Sequence, residues 1–341
     1  MQYVPLLAEA GIEVDIAPFF GNDYLERLYA GRSTAASVGR GFACRIGQLR
    51  RITEYDVVWL EKEALPWLPW RIERALLDRG VPIVSDYDDA VFHRYDLHRS
   101  RLVRHFLGSK IDRVMGASAL VIAGNDYLAD RARTAGAPKV EIVPTVVDTN
   151  TYGVAPAVMR ARNSKIGWIG TPSTWTEYVG PLLPTLLAAA EAAQTTLYAV
   201  GARPAAAPCP NLELVDWSED REVDLIQGMA IGIMPLDDSP WARGKCGYKL
   251  IQYMACGLPV VASPTGVNSE IVEHGVNGFL ASSEDEWREA LAKLLNSAEL
   301  RRKMGDAGRL KVERQYSLQA CAPKIAELLR QAASGTLPKK R

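Results

Sequence analysis

Residues 241–280 contain the side chains whose types and spacing best suit chemistry. This segment joins a basic, glycine-bearing loop to a helical pattern and then passes into an apolar strand pattern. Lys245, Lys249 and Gln252 stand at i, i+4 and i+7, so one helix would carry all three on one face. The start of such a helix leaves N–H groups unpaired, which favours anions. Two ammonium groups and an amide suit a diphosphate with a hydroxyl-bearing group beside it. The alternative is a solvated basic face.

A second loop of this kind, GTPST at residues 170–174, follows a predicted strand at 165–169. Thr174 and Glu177 have the spacing of a capping box, which predicts that a helix opens at Thr174. A strand, a small-residue loop and a helix start together predict a second phosphate-facing surface. An ordinary capped connection is the alternative. The N–H groups assigned to the diphosphate are those of Gly170, Thr171, Cys246 and Gly247.

Carboxylates follow two other predicted strands. Asp86 and Asp88, in the run DYDD, could act as a base or orient an acceptor hydroxyl. They could equally form a polar turn that caps a helix or pairs with Arg94 and Arg99. Metal binding is disfavoured because no histidine or second carboxylate cluster stands nearby in sequence. Glu270 follows a further strand and either caps a helix or contacts a sugar hydroxyl.

The segment 93–113 is basic, with six Lys or Arg residues. It could meet anionic lipid headgroups or a phosphorylated acceptor, and a solvated helix face is an equal alternative. Trp67 and Trp70, in LPWLPW, could lie at a membrane interface. Core packing of at least one of them is the favoured alternative.

Composition excludes several classes of protein. The 341 residues include 40 Lys or Arg and 40 Asp or Glu, and this balance disfavours a general nucleic-acid binder. The five cysteines are odd in number and far apart, which argues against a disulfide framework or zinc site and favours a reducing cytosol. No signal peptide is visible, and no apolar run approaches the ~20 residues of a membrane span.

Short apolar runs alternate with longer helical patterns along the chain, which predicts parallel sheets covered by helices on both faces. A polar linker is predicted at 144–157, between two doubly wound Rossmann-like α/β domains with a ligand cleft at the carboxyl ends of their strands. The predicted strands are 13–19, 56–61, 82–86, 119–123 and 140–144 before the linker, and 165–169, 195–200, 212–216, 231–235, 259–263 and 278–281 after it.

The expected domains are an acceptor-side domain at 1–148, a donor domain at 149–316, a terminal helix at 317–334 and a disordered tail at 335–341. The first domain begins with a helix-like run that ends at Gly11. A doubly wound domain normally begins with a strand and a glycine-rich loop. We therefore expect the first strand to be missing, through truncation or an unused upstream start.

The run GKCGYKLIQYMACGLPVV, residues 244–261, resembles the motif E-G-F-G-x-x-x-x-E-A-M-A-x-G-x-P-V-V of retaining nucleotide-sugar glycosyltransferases of family 4, which have the GT-B fold. The two glutamates of the motif fall on Gly244 and Gln252. In the family the first faces the donor sugar and the second holds the ribose. The resemblance implies that Gln252 performs the second role through its amide.

Other segments extend the resemblance. The family holds its diphosphate with a basic pair, of which Lys249 matches one member and Lys245 stands in for the other. The run PTVVD at 144–148 resembles the interdomain linker P-N-G-V-D. The histidine of the family's first domain has no match, and Asp86 or Asp88 occupies the comparable strand end. The terminal helix is expected to pack back on the first domain.

The resemblance implies retaining transfer of a sugar from a nucleotide diphosphate-sugar to a hydroxyl of a glycan or lipid-linked acceptor. No metal ion and no bound cofactor are expected. Lys245 and Lys249 would stabilise the leaving diphosphate, and a hinge near 145–155 would close the cleft. The expected setting is bacterial surface polysaccharide or glycolipid assembly in the cytoplasm, with peripheral contact at the inner face of the membrane.

Two other functions stay open. One is a GT-B nucleotide-sugar epimerase, and the other is a degenerate or truncated protein that binds a nucleotide without turnover. A dehydrogenase is disfavoured because no G-x-G-x-x-G follows a strand.

Overall fold

The computed structural model describes residues 2–21, 24, 27, 31–154, 164–203 and 209–337. The chain forms two compact units. Unit 1 comprises Met1–Val143 and Ala322–Arg341, and unit 2 comprises Pro144–Cys321. The predicted linker beyond residue 154 and the last four residues of the predicted tail lie outside the described residues.

Unit 1 is built on a four-stranded parallel sheet in the order β1-β2-β3-β4. The strands are β1 (Val58–Glu61), β2 (Ile83–Tyr87), β3 (Leu120–Ala123) and β4 (Val140–Ile142). Its helices are α1 (Val4–Glu9), α2 (Ala35–Arg50), α3 (Trp70–Leu77), α4 (His93–Asp96), α5 (Arg101–Leu107), α6 (Lys110–Ala117) and α7 (Asp126–Thr134). The four strands confirm the predictions at 56–61, 82–86, 119–123 and 140–144, because near-continuous apolar runs become buried parallel strands.

The predicted strand at 13–19 is wrong. Residues 12–18 form neither helix nor strand, and the Ile16 side chain is half exposed. An alternating pattern yields a strand only where a neighbouring strand pairs with its N–H and C=O groups. The helix predicted before Gly11 is confirmed as α1, which ends at Glu9.

A buried ion cluster fixes the loop after β1. The Lys110 ammonium lies 2.5 Å from a Glu63 carboxylate oxygen, 3.1 Å from a Glu73 carboxylate oxygen and 2.5 Å from the Leu65 carbonyl oxygen. Glu73 also accepts a hydrogen bond from the Ala64 N–H. Burial raises the pKa of Glu73, and Lys110 partly offsets this effect. Buried charges persist only when they are paired in this way.

Unit 2 is built on a six-stranded parallel sheet in the order β10-β9-β8-β5-β6-β7. Apolar cores cover both faces of this sheet. The strands are β5 (Ile166–Ile169), β6 (Leu197–Val200), β7 (Leu212–Val215), β8 (Ile231–Met234), β9 (Val260–Ala262) and β10 (Gly278–Leu280), and all six were predicted.

The helices of unit 2 are α8 (Pro172–Thr174), α9 (Leu183–Ala192), α10 (Glu222–Gln227), α11 (Pro240–Arg243), α12 (Tyr248–Ala255), α13 (Asn268–Ile271), α14 (Glu284–Leu295) and α15 (Ala298–Lys311). A last helix, α16 (Leu318–Ala333), begins in unit 2 and continues in unit 1. In unit 1 its Lys324 and Arg330 side chains donate to the carbonyls of Ile142 and Ala10. Among the described helices, none combines the length and apolar character needed to cross a membrane.

The predicted cap at Thr174 is also wrong. The capping box is formed by Thr171 as N-cap and Thr174 three residues later, while Glu177 belongs to the following π-helical turn. Pro172 explains the shift, since its fixed φ and missing N–H suit the first position of a helix. The helix therefore begins three residues earlier than predicted.

Candidate functional site

The start of α12 lies at the centre of the candidate site in unit 2. Its N-cap is Gly247, in the left-handed conformation with φ of 68°. A Cβ there would lie 2.2 Å from the Ile271 Cδ1, so both the backbone and the packing require glycine. The helix begins at Tyr248, after Lys245. The prediction that Lys245, Lys249 and Gln252 share one helix is therefore wrong for Lys245, which lies in the preceding loop.

Each of the two lysine side chains lies over an aromatic ring. Lys249 Nζ is 4.5 Å from the centroid of the Trp168 ring, and Lys245 Nζ is 5.6 Å from the centroid of the Tyr178 ring. Burial, and next repulsion from Lys245, together lower the pKa of Lys249 from 10.5 to about 7. In the part of the chain that the structure describes, no carboxylate forms a salt bridge with Lys249. A bound diphosphate would supply the missing negative charge.

Gly170 makes room for Lys249 at the carboxyl end of β5. A Cβ on Gly170 would lie 2.6 Å from the Lys249 Nζ and 2.6 Å from the Trp168 ring. Only glycine therefore allows the ammonium group to reach this edge of the sheet. The same observation connects the two loops that the sequence predicted to face phosphate.

The predicted role of two backbone N–H groups is wrong. The Gly170 N–H donates to the Val200 carbonyl over 3.0 Å. The Thr171 N–H donates to the Thr174 hydroxyl over 3.1 Å, as part of the capping box. Because both donors are already used, they are not directed at a ligand, and the lysines are left as the charged groups of this edge.

Cys246 and Glu270 flank the start of α12 in different ways. The Cys246 side chain is buried beside Gly247. Glu270 is exposed on α13, and its backbone carbonyl accepts a hydrogen bond from Lys311. The next residue of this helix, Ile271, packs against Gly247. That either residue binds a ligand stays a prediction.

Gln252 is buried, with 2% of its surface exposed, and the nitrogen of its amide is bonded to protein. Its Nε2 donates to the Glu222 Oε1 over 2.7 Å and to the Tyr152 hydroxyl over 2.9 Å. Trp217 Nε1 donates to the other oxygen of Glu222 over 2.7 Å. Both N–H groups of the amide therefore have protein partners, and only its oxygen Oε1 is left to accept a hydrogen bond from a ribose hydroxyl. That Gln252 binds ribose stays a prediction.

In unit 1, Asp86 and Asp88 lie at the end of β2. Burial, and next the neighbouring Asp88, raise the pKa of Asp86 to about 7, while the Trp59 Nε1 donates to its carboxylate over 3.2 Å. Asp88 pairs with Lys62 over 3.0 Å instead of the predicted Arg94 or Arg99. Lys62 has a φ of 65°, a left-handed conformation that is uncommon outside glycine. Residues held in such conformations cluster at functional sites.

The basic segment of unit 1 carries exposed apolar side chains. Leu102 is 70% exposed and Phe106 is 66% exposed, four residues apart on α5. Trp67 is 48% exposed and contacts the Tyr95 ring edge-to-face, whereas Trp70 packs against the core. The core prediction thus holds for Trp70. Arg101 and Arg104 are exposed on the same short helix.

No group of three or more His, Cys, Asp or Glu side chains in the described ranges is placed to hold a metal ion. Tyr152, Trp217 and Glu222 are the candidate residues that the sequence reasoning missed. No spacing rule relates them, because they come from a loop, a strand end and a separate helix.

Both the sequence and the structure of the chain are similar to those of known proteins. Residues 164–297, which lie within unit 2, match the family model described as "Glycosyl transferases group 1". The chain is 31% identical over 83 residues to a "Probable sucrose-phosphate synthase" of Thermosipho melanesiensis, covering 24% of this chain and 19% of that protein. It is 29% identical over 132 residues to the "Amylovoran biosynthesis glycosyltransferase AmsK" of Erwinia amylovora, covering 36% and 29%.

The chain spans between 19% and 29% of the length of the curated relatives it matches. Its structure is similar to the crystal structure of Anabaena Alr3699/HepE in complex with UDP and glucose, with a TM-score of 0.64 and 19% identity over 96% of this chain and 88% of the other. At this identity the likeness concerns the fold. It confirms two Rossmann-like α/β units with parallel sheets, of the GT-B type.

Proposed function

We propose that the chain is a glycosyltransferase that moves a sugar from a nucleotide diphosphate-sugar to an acceptor hydroxyl. The observation that carries this proposal is Lys249, whose ammonium group is buried at the carboxyl end of β5 over the Trp168 ring. Ligands of open parallel sheets bind at that edge. A buried cation without a carboxylate partner in the described structure suits an anionic ligand, and the domain match at residues 164–297 supports a nucleotide sugar as that ligand.

The lysines would act on the leaving group. When the glycosidic bond to the diphosphate breaks, negative charge grows on the diphosphate oxygens. Lys249 and Lys245 would stabilise this charge more strongly in the transition state than in the bound donor, and that difference lowers the barrier. We propose that these two cations replace a divalent metal and that the reaction retains the anomeric configuration, as in family 4.

Asp86 is the proposed acceptor-side group. With a pKa of about 7 it can take up a proton from a sugar hydroxyl and release it near neutral pH. Asp88 would orient the acceptor while its pairing with Lys62 holds it in place. The contacts that support these two roles all lie within unit 1.

The proposed setting is the assembly of a bacterial surface polysaccharide or glycolipid, at the cytoplasmic face of the membrane. The printed name of the Erwinia relative, an amylovoran biosynthesis glycosyltransferase, supports a polysaccharide product. Exposed Leu102 and Phe106 beside Arg101 and Arg104 support peripheral contact, since apolar groups enter the interface while arginines meet anionic headgroups.

Vesicle sedimentation tests the membrane contact. The chain should sediment with phosphatidylglycerol-containing vesicles and stay in solution with pure phosphatidylcholine. Changing Leu102 and Phe106 together to Glu should release it. Leu310→Glu, which changes a 46% exposed leucine of unit 2, is the matched control and should bind like wild type. Equal binding by the double variant and the wild type would exclude this surface.

Ligand-induced stabilisation tests the donor site. UDP, GDP and ADP, with their glucose conjugates, should be screened for a rise in melting temperature, because a ligand of the folded state stabilises it. One nucleotide should give a shift that Lys249→Ala abolishes. Lys303→Ala, which changes an exposed lysine on α15, is the control. No shift with any nucleotide would overturn the proposal.

Turnover separates the alternatives. A transferase releases nucleoside diphosphate when an acceptor is present, and NMR of the transferred sugar reports its anomeric configuration. A nucleotide-sugar epimerase would consume the donor without any acceptor. A non-catalytic protein would bind nucleotide and show neither reaction in any acceptor mixture.

A further inference from the structure

Glu222 joins three separate elements of unit 2. It is the first residue of α10, and its Oε1 accepts hydrogen bonds from Gln252 of α12 and from the Tyr152 hydroxyl. Its Oε2 accepts one hydrogen bond, from the Trp217 indole after β7. Burial and Glu222 raise the pKa of Tyr152 far above its ordinary value, so this hydroxyl stays a donor.

This cluster is next to the phosphate-facing edge of the sheet. Gln252 lies one helical turn beyond Lys249 on α12. On the other side, a Cβ at Gly201 would lie 3.5 Å from the Trp217 Cβ and 2.2 Å from the Gly170 carbonyl oxygen. Lys249, Gly170, Gly201 and the Glu222 cluster therefore form one continuous arc at the carboxyl ends of β5, β6 and β7.

The Glu222 carboxylate has capacity left for a ligand. A carboxylate offers about four acceptor positions. Gln252 and Tyr152 take two on Oε1, and Trp217 takes one on Oε2, which leaves one position on Oε2. Glu222 is only partly buried and its partner Trp217 is 49% exposed, so solvent reaches this part of the cluster.

We propose that Glu222 supplies the carboxylate that binds a ribose hydroxyl of the donor nucleotide. Gln252, Tyr152 and Trp217 are positioning residues that orient this carboxylate. The proposal rests on the proposed function, because it needs a nucleotide diphosphate at Lys249. It explains how a chain with an amide at position 252 retains a carboxylate for the sugar hydroxyl beside the phosphates.

A hydrogen bond from a hydroxyl to a carboxylate is stronger than one to a neutral amide. Glu222→Gln should therefore weaken binding of the ribonucleotide that stabilises the wild type, chosen from UDP, GDP and ADP, by roughly 10- to 100-fold. Asp224→Asn removes an exposed carboxylate of the same helix and should leave affinity unchanged. Calorimetric titration measures both.

Deoxynucleotides show whether the lost contact is with ribose. The 2′-deoxy and 3′-deoxy forms of that nucleotide should be titrated against wild type and Glu222→Gln. For one of them the two proteins should bind within about twofold of each other, because the hydroxyl that Glu222 holds is absent. An equal loss for the ribose form and both deoxy forms would show that Glu222 only supports the fold, and would overturn the proposal.

Tyr152→Phe serves as the structural comparison. It removes two hydrogen bonds of the cluster, one donated to Glu222 and one accepted from Gln252, and it keeps the carboxylate. Affinity for the ribonucleotide should therefore fall less than in Glu222→Gln. An equal fall in both variants would also overturn the proposal. If the wild type binds none of the three nucleotides, the proposed function fails first. Tight binding by the wild type with no effect of Glu222→Gln refutes this inference alone.

Discussion

Lys249→Met should make the unliganded protein more stable while it removes the cation of the proposed diphosphate site. In the folded chain the pKa of Lys249 falls from 10.5 to about 7, first through burial and then through Lys245. This fall of ~3.5 pH units, at ~1.36 kcal/mol for each unit, corresponds to a penalty on the order of 5 kcal/mol when the lysine is charged. Methionine keeps the unbranched shape and carries no charge.

The gain should depend on pH in a defined direction. Below pH 7 both folded and unfolded chains hold the proton, so the full penalty applies. Between pH 7 and 10.5 the unfolded chain binds more protons than the folded chain, and wild-type stability rises by ~1.36 kcal/mol per pH unit from this group. The advantage of Lys249→Met is therefore largest near pH 6 and nearly absent above pH 10.5.

Differential scanning calorimetry measures this effect. With ~2–4 °C per kcal/mol for a domain of this size, Lys249→Met should melt on the order of 10 °C above wild type at pH 6 and only a few degrees above it at pH 9.5. Lys303→Met, at an exposed position, controls for the loss of a surface charge. A lower melting temperature for Lys249→Met, or a gap that is the same at both pH values, would refute the reasoning.

Three further predictions concern the same groups and the core of unit 1. Affinity for the bound nucleotide diphosphate should fall by roughly tenfold per pH unit above pH 7, because binding then requires Lys249 to take up a proton. Calorimetry in two buffers of different ionisation enthalpy measures this proton uptake, and binding without it would contradict the prediction. Asp86→Asn should abolish the rise of kcat through pH 7. It should also stabilise the chain at pH 8 but not at pH 4, because wild-type stability falls as pH rises from 3.8 to about 7. A pH–rate profile and melting curves measure the two effects, and an unchanged rate profile would exclude Asp86 as the base. Lys110→Met should cost about 3–5 kcal/mol in urea unfolding, since it leaves Glu63 and Glu73 buried without their cation; a loss below ~1 kcal/mol would contradict the buried-pair account.

The strands of both sheets could be predicted from sequence. Short apolar, β-branched runs that alternate with helical patterns are typical of buried parallel strands. The exception, 13–19, shows what that reasoning lacks. Its pattern alternates like that of a strand, yet no strand among the described residues pairs with it, and pairing is a property of the whole fold. The Thr174 cap failed for a local reason, since Pro172 fixes the helix start three residues earlier.

The candidate site was predicted only in part. The spacing of Lys249 and Gln252 predicted that one helix carries both, and the structure confirms this because a helix is a local property of the sequence. The partners of Gln252 are 30 and 100 residues away in sequence, at Glu222 and Tyr152, so no local pattern connects them. The raised pKa of Asp86 likewise depends on burial, which a turn of aspartates does not reveal.

The cost of burying Lys249 and the affinity of the proposed diphosphate site are thermodynamically linked. An ammonium group at the edge of β5, with no carboxylate bridge to it in the described structure, destabilises the unliganded fold, and a diphosphate that neutralises it returns that energy as binding. A lysine that had a glutamate beside it would give a more stable unit and a weaker site. The pH of the nucleotide screen follows from this linkage. Near pH 6.5 Lys249 is largely charged before binding, so the shift in melting temperature is at its largest. At pH 9 Lys249 must also take up a proton from solvent when the ligand binds. A donor nucleotide would therefore produce a much smaller shift in melting temperature at that pH.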